Sequence, residues 1–164
     1  MNDSLTCQLH LAFYRGEQHG RWLDRAIARH DRGPFSHVEL VFAQHPRGRS
    51  VACFSSSWRD GGVRFKWLTL GGANAPKWAV LPVPMWPADV LRVRRWCVRQ
   101  VGGRYDVPGV LAFKLPLVRD RLDWWFCSEI CCRALQEAGL LRGVRPASLS
   151  PNGLFREFQK EVGR

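Results

Sequence analysis

The chain has 164 residues, of which 46% are hydrophobic and 12% aromatic, and it carries a formal net charge of +11. This length and apolar content predict one folded domain over residues 1–164 and exclude an intrinsically disordered protein. The positive charge favours an anionic partner such as nucleic acid, an anionic membrane or an acidic substrate, although an arginine-rich genomic composition explains it equally well.

The sequence shows neither a targeting segment nor a membrane span. Residues 1–7 lack a basic start followed by an apolar run, and the longest apolar runs fall far short of the ~20 residues that a span requires. Six cysteines in such a chain are expected to be reduced thiols rather than a disulfide framework. We therefore expect a cytoplasmic protein.

The first half of the chain predicts five strands and one helix. Alternating or apolar-rich segments predict strands at residues 6–15, 35–42, 51–55, 63–68 and 78–84. Apolar residues at helical spacing predict a helix from Trp22 to His30, and residues 16–20 before it are predicted to be a loop. Prolines at positions 82 and 84 indicate that the fifth strand lies at an edge or ends there.

The second half predicts mostly helices. Pro87 suits the first turn of one helix, and Gly102 and Gly103 end it. Residues 105–123 are predicted to be mostly loop, after which a helix begins at Cys127 and ends before Gly139. A loop at 146–153 precedes a short last helix over residues 154–162. The order of strand, helix, antiparallel meander and helices predicts an α+β fold in a single domain.

Cys127 is the best candidate for a catalytic nucleophile. It lies at the predicted start of an amphipathic helix, where unpaired backbone N–H groups and the positive end of the helix dipole favour a thiolate. The other cysteines lie in predicted strands, in a mid-helix stripe or elsewhere on the Cys127 helix, as small core residues do: Cys7, Cys53, Cys97, Cys131 and Cys132.

His37 is the best candidate for the base that such a nucleophile needs. It lies in an apolar strand, where an imidazole is costly to bury without a partner. The period of two places Glu39 on the same face, so its carboxylate can orient the ring and favour the imidazolium form. Two ionisable groups on one face of a strand of this kind are hard to justify as packing alone.

These residues together resemble a known family. The strand carrying His-Val-Glu at 37–39 and, later in the chain, the helix carrying Cys-Ser-Glu at 127–129 are similar to the permuted, YiiX/YebB-like branch of the NlpC-type papain-like hydrolases. Residues 103–106 are similar to the Gly-x-x-Tyr-Asp element before the cysteine of that family, and residues 150–154 extend the likeness. The resemblance covers residues 9–155 and implies a papain-like domain whose central antiparallel sheet or half-barrel packs against helices.

The resemblance also implies a function. It implies a cysteine amidase, peptidase or thioesterase with Cys127 as nucleophile, His37 as general base and then acid, and Glu39 as the orienting group. Backbone N–H groups at the start of the helix, including that of Ser128, would form the oxyanion hole, and Tyr105 would line the cleft or donate to the oxyanion. No metal or cofactor is expected. The expected substrate is a small molecule, a peptide or a lipid-linked compound, with the positive charge favouring an acidic one.

Three other hypotheses stand beside the hydrolase. A basic module that binds nucleic acid or another partner without catalysis fits the charge and the eight tryptophans, but the basic residues are dispersed. A zinc site made from the thiols at 127, 131 and 132 with His37 or His45 has an awkward spacing for a chelate. A decayed papain-like binding domain would not be expected to keep thiol, imidazole and carboxylate together.

Overall fold

The computed structural model describes residues 8–48, 50–105 and 124–163. Its helices and strands are β1 (Leu9–Tyr14), α1 (Gly16–His19), α2 (Trp22–His30), β2 (His37–Phe42), β3 (Val51–Ser57), β4 (Gly62–Leu68), β5 (Trp78–Pro82), α3 (Pro87–Gln100), β6 (Arg104–Tyr105), β7 (Trp124–Trp125), α4 (Cys127–Gln136) and α5 (Pro151–Val162). The α+β class is confirmed, and the predicted helix from Trp22 to His30 matches α2. The predicted loop at 105–123 and the aspartate of the Gly-x-x-Tyr-Asp element lie almost wholly outside the described residues.

Five strands form one antiparallel sheet in the order β4-β3-β2-β1-β5. The predicted meander therefore runs only from β2 to β4, because β5 pairs with β1 at the opposite edge. The chain reaches that edge through the 3₁₀ segment Gly72–Lys77, whose last carbonyl accepts a hydrogen bond from Arg15 at 2.8 Å. The edge position expected from the prolines of β5 is confirmed.

The two faces of the sheet have different coverings. Leu11 and Phe13 of β1 pack with Val38 and Leu40 of β2 in the main core, which includes buried residues from α3, α4 and α5. On the opposite face β1 places Ala12 opposite Glu39 and Tyr14 opposite His37. The period of two thus separates the apolar face from the face that carries the ionisable groups.

Two helices depart from the predicted boundaries for local reasons. Residues 16–19, predicted to be loop, form the single turn α1. Helix α5 begins at Pro151, three residues earlier than predicted, because the Ser150 hydroxyl caps it by accepting from the N–H of Gly153 at 2.9 Å. Among the described residues, no helix has the length and apolar character needed to cross a bilayer.

Candidate active site

The first residues of β2 and α4 meet at one end of the sheet. His37 is the first residue of β2 and Cys127 is the first residue of α4. Their side chains lie close enough that the charge and a hydrogen bond of Cys127 raise the pKa of His37. Cys127 is 1% exposed, whereas the side chain of His37 is 21% exposed. The imidazole is therefore the more accessible group of this pair.

Glu39 contacts the imidazole from the other side. Its Oε1 lies 2.8 Å from His37 Nε2, and its side chain is 1% exposed. Because Nε2 is engaged by Glu39, Nδ1 is the ring nitrogen that remains for the thiol of Cys127. The order thiol, imidazole, carboxylate allows a histidine to move a proton to or from a nucleophile while a third group orients the ring.

Arg64, which the sequence analysis did not single out, fixes Glu39. Its Nη1 lies 2.8 Å from Glu39 Oε2 and its Nη2 lies 2.6 Å from Glu39 Oε1, a bidentate pair. Arg64 is in β4, so its side chain crosses β3, where its paired residue is the small Ser55. Arg64 Nε also donates to Asp60 at 2.8 Å, and Lys66 donates to the other oxygen of Asp60 at 2.9 Å.

These contacts set the protonation states of the site. Burial lowers the pKa of His37, but the charge and hydrogen bond of Cys127, together with those of Glu39, outweigh it and raise the pKa to about 10. Burial raises the pKa of Glu39, but hydrogen bonds and charges from His37 and Arg64 hold it below the usual value. The site therefore favours the imidazolium form of His37 beside the ionised carboxylate of Glu39.

The other described cysteines lie in less reactive surroundings. Burial raises the pKa of the thiols of Cys53, Cys97 and Cys131, and it raises the pKa of Cys132 to about 12. Among the cysteines that the structure describes, Cys127 is the one whose side chain is hydrogen-bonded to a histidine. Cys7 lies outside the described residues.

The start of α4 offers backbone donors beside the thiol. Phe126 is the N-cap residue and no side chain caps this end of the helix. The N–H of Ile130 bonds to the carbonyl of Phe126 at 3.0 Å, which leaves the N–H groups of Cys127 and Ser128 without an acceptor inside the helix. The hydroxyl of Ser128 is fully buried and donates to the carbonyl of Leu149 at 2.5 Å. Ser128 can therefore contribute its backbone N–H, but its side chain is occupied.

His37 faces a cleft with a volume of about 280 Å³. Tyr105 lines this cleft with His37 and Glu39, and its ring centroid lies 6.1 Å from that of Phe126. Cys127 is not among the described residues that line the cleft.

Aromatic and aliphatic side chains form much of the remaining cleft wall. Tyr14 is paired in register with His37 on one side and with Trp78 on the other, which places the three in a row across β2, β1 and β5. Leu23 and Ile27 of α2 also line the cleft. The wall beside the imidazole thus suits an apolar or planar group.

The charges of this cleft are balanced within it. Each cation that lines the cleft has a carboxylate partner that also lines it: Arg59 with Asp24 at 2.6 Å, Arg64 with Glu39 at 2.6 Å, and Lys66 with Asp60 at 2.9 Å. In the sequence, the alternation of residues 63–68 is a signal that Arg64 and Lys66 share one face of a strand. That this face is directed towards Glu39 follows only from the order of the strands in the sheet.

Comparison of the chain with models of known families, with characterised proteins and with solved structures finds no match. Within residues 8–48, 50–105 and 124–163, no three His, Cys, Asp or Glu side chains come together in a way that could hold a metal ion. The zinc ligand set considered from the sequence is thus not assembled there.

Proposed function

We propose that the protein is a cysteine hydrolase that cleaves an amide, peptide, ester or thioester bond through an acyl-enzyme on Cys127. The observation that carries this proposal is the order of three side chains: Cys127, whose charge and hydrogen bond raise the pKa of His37, the imidazole itself, and the carboxylate of Glu39 at 2.8 Å from the ring. The chain order, with a histidine on a strand before a cysteine at a helix start, is the order that the resemblance to permuted NlpC-type hydrolases implies. On this proposal the sheet and its helices form a papain-like domain of that kind.

In the acylation step, the thiolate of Cys127 attacks the carbonyl carbon of the substrate. A C–S bond forms and the carbonyl π electrons move to oxygen, where the backbone N–H groups of Cys127 and Ser128 stabilise the negative charge. The carbonyl reforms as the bond to the leaving group breaks. His37 donates its proton to the departing nitrogen, oxygen or sulfur and becomes neutral.

In the deacylation step, water attacks the thioester carbonyl. The neutral imidazole of His37 accepts a proton from this water, and the thiolate leaves as the carboxylic acid is released. Glu39 keeps the ring oriented in both steps, and Arg64 holds Glu39 in place through two hydrogen bonds. The imidazolium–thiolate pair is restored without any other reactant.

The walls of the cleft support a substrate with an apolar or planar group near the scissile bond. Tyr14 and Trp78 lie in the same row as His37, and the exposed Trp58 also lines the cleft. Peptides and lipid-linked compounds both carry such groups. Two of the paired cations, Arg59 and Lys66, are about half exposed and can also contact an acidic substrate.

The proposal is tested by alkylation and hydrolysis together. At about pH 6, where a free thiol of pKa about 8.5 is almost fully protonated, iodoacetamide should label Cys127 within the intact protein. A panel of amide, ester and thioester substrates should include at least one that the wild type hydrolyses, and Cys127→Ala should abolish that activity.

The matched control is Cys97→Ala, which removes a thiol from the buried face of α3. It should leave both the labelling of Cys127 and the hydrolysis at wild-type levels. Hydrolysis that persists in Cys127→Ala, or low-pH labelling that survives in His37→Gln, would show that these residues do not act as proposed.

A further inference from the structure

A second cavity, with a volume of about 560 Å³, lies beside β5 and α5. Among the described residues it shares only Trp78 with the cleft at His37. We call this cavity the arginine groove, because four of the described residues that line it are arginines: Arg15, Arg32, Arg47 and Arg156. Of the thirteen lining residues that the structure describes, none is acidic.

The arginine groove differs from the His37 cleft in that most of its cations have no carboxylate partner in the described part of the chain. Among the described residues, only Arg156 of the four arginines has an ion-pair partner, Asp31, at a distance of 3.6 Å. Arg156 is also 55% exposed, so this pair is weak. Three cations without a described ion-pair partner and a fourth with only this weak one repel one another, and an external anion would reduce that repulsion.

Separate parts of the chain bring the arginines together. Arg15 follows β1, Arg32 lies between α2 and β2, Arg47 lies between β2 and β3, and Arg156 is in α5. The backbone of Arg47 lies very close to that of Gly71. A Cβ atom on residue 71 would lie 2.0 Å from the carbonyl oxygen of Arg47. The fold therefore uses a close backbone approach to place this arginine at the groove.

The floor of the arginine groove is apolar. The rings of Phe35 and Phe155 pack with centroids 4.8 Å apart, and Trp78 and Leu81 also line the cavity. The guanidinium of Arg15 lies 5.7 Å from the centroid of the Phe35 ring. Cationic groups are thus placed next to an aromatic surface that can pack against an apolar ligand body.

We propose that the arginine groove binds a phosphate monoester attached to an apolar or aromatic body. Guanidinium groups match phosphate oxygens with paired hydrogen bonds, and several arginines that line one cavity suit a doubly charged group better than a single carboxylate. The aromatic floor would take the apolar body. This site is separate from the His37 cleft and does not depend on the proposed hydrolase activity.

The proposal is tested by calorimetric titration of the full chain with phenyl phosphate and with inorganic phosphate, and by sedimentation with vesicles that contain phosphatidic acid. Phenyl phosphate should bind more tightly than inorganic phosphate, because its ring packs on the aromatic floor. Binding to phenyl phosphate identifies a free ester as ligand, and binding to the vesicles alone identifies a lipid headgroup. Absence of binding to every probe at millimolar phosphate overturns the proposal.

The decisive variant is Arg15→Gln combined with Arg47→Gln. It should weaken binding about ten-fold or more, because it removes two guanidinium groups that donate charge-assisted hydrogen bonds to the phosphate. The matched control, Arg94→Gln with Arg99→Gln, removes the same charge from exposed positions of α3 and should bind as the wild type does. Equal weakening in both pairs would overturn the proposal in favour of a general charge effect. Arg47→Gln alone, at an exposed turn, tests the groove if the loss of Arg15 impairs folding.

Discussion

Arg64 holds Glu39 in a two-pronged ion pair, and its shorter contact, 2.6 Å, ends on the oxygen that also lies 2.8 Å from His37. One carboxylate oxygen thus serves both the structural pair and the candidate catalytic ring. Glu39 is 1% exposed and cannot exchange these partners for water. The orientation of His37 is therefore coupled to a residue two strands away.

Arg64→Gln should lower the free energy of unfolding by about 3 kcal/mol or more, because it breaks a buried two-pronged pair and leaves the Glu39 carboxylate with His37 as its remaining cationic partner. Urea unfolding measures this change. Combining it with Glu39→Gln should recover part of the loss, since no unpaired buried charge remains. The control is Arg59→Gln, whose contact with Asp24 is equally short at 2.6 Å but whose side chain is 52% exposed. That variant should lose about 0–1 kcal/mol, and equal losses in the two arginine variants would contradict the coupling.

Alkylation should depend on the size of the reagent. Because Cys127 is 1% exposed behind a half-buried histidine, iodoacetamide should label it faster than a bulky maleimide does. Peptide mapping by mass spectrometry identifies the labelled residue and separates it from Cys7. Cys97 and Cys131, whose pKa values burial raises, should stay unlabelled in the folded protein at neutral pH. Labelling of either at a rate similar to that of Cys127 would contradict the assignment of a unique reactive thiol.

Cys127 and His37 could be proposed from the sequence because both positions follow from local patterns. A helix start and the period of a strand depend on neighbouring residues, and in the structure Cys127 is close enough to raise the pKa of His37. Arg64 could not be found in this way. Its alternation in β4 was visible, but the partner across β3 depends on the order of strands in the sheet.

Of the remaining differences, one arises from contacts that are distant in the sequence and one from a local signal. The pairing of β5 with β1 rather than with β4 is a tertiary choice that turn residues do not encode. The early start of α5 was encoded locally by Ser150 and Pro151, an N-cap followed by a proline in the first turn. The surrounding Pro, Ser and Gly residues are equally typical of a loop. Because of this composition, residues 151–153 were predicted to be part of a loop rather than the first turn of the helix.

The stability that His37 contributes should fall as pH rises from 6.5 to about 10. The pKa of His37 is raised from 6.5 to about 10 in the folded protein, so below pH 6.5 the imidazole is protonated in both states and its contribution is complete. Between pH 6.5 and about 10, His37 loses its proton in the unfolded chain before it does so in the folded protein. The stability that His37 contributes is therefore lost over this range. Urea unfolding of wild type and His37→Gln across this range should show a shrinking difference in free energy. A difference that stays constant with pH would contradict the raised pKa.

Asn152→Ala should disturb the candidate site from α5. The Asn152 amide accepts from the N–H of Phe35 at 3.0 Å and donates to its carbonyl at 2.8 Å, two residues before His37. Because Asn152 is 3% exposed, its loss leaves two buried backbone groups unpaired and should lower the free energy of unfolding by about 2 kcal/mol or more. The rate of iodoacetamide labelling at low pH should fall as well, since His37 loses the support of the preceding segment.

The control variant Ser148→Ala removes an exposed hydroxyl that bonds to the carbonyl of Arg145, and it should change neither the free energy of unfolding nor the labelling rate. If Asn152→Ala destabilises the fold but labels at the wild-type rate, α5 supports the sheet without positioning His37.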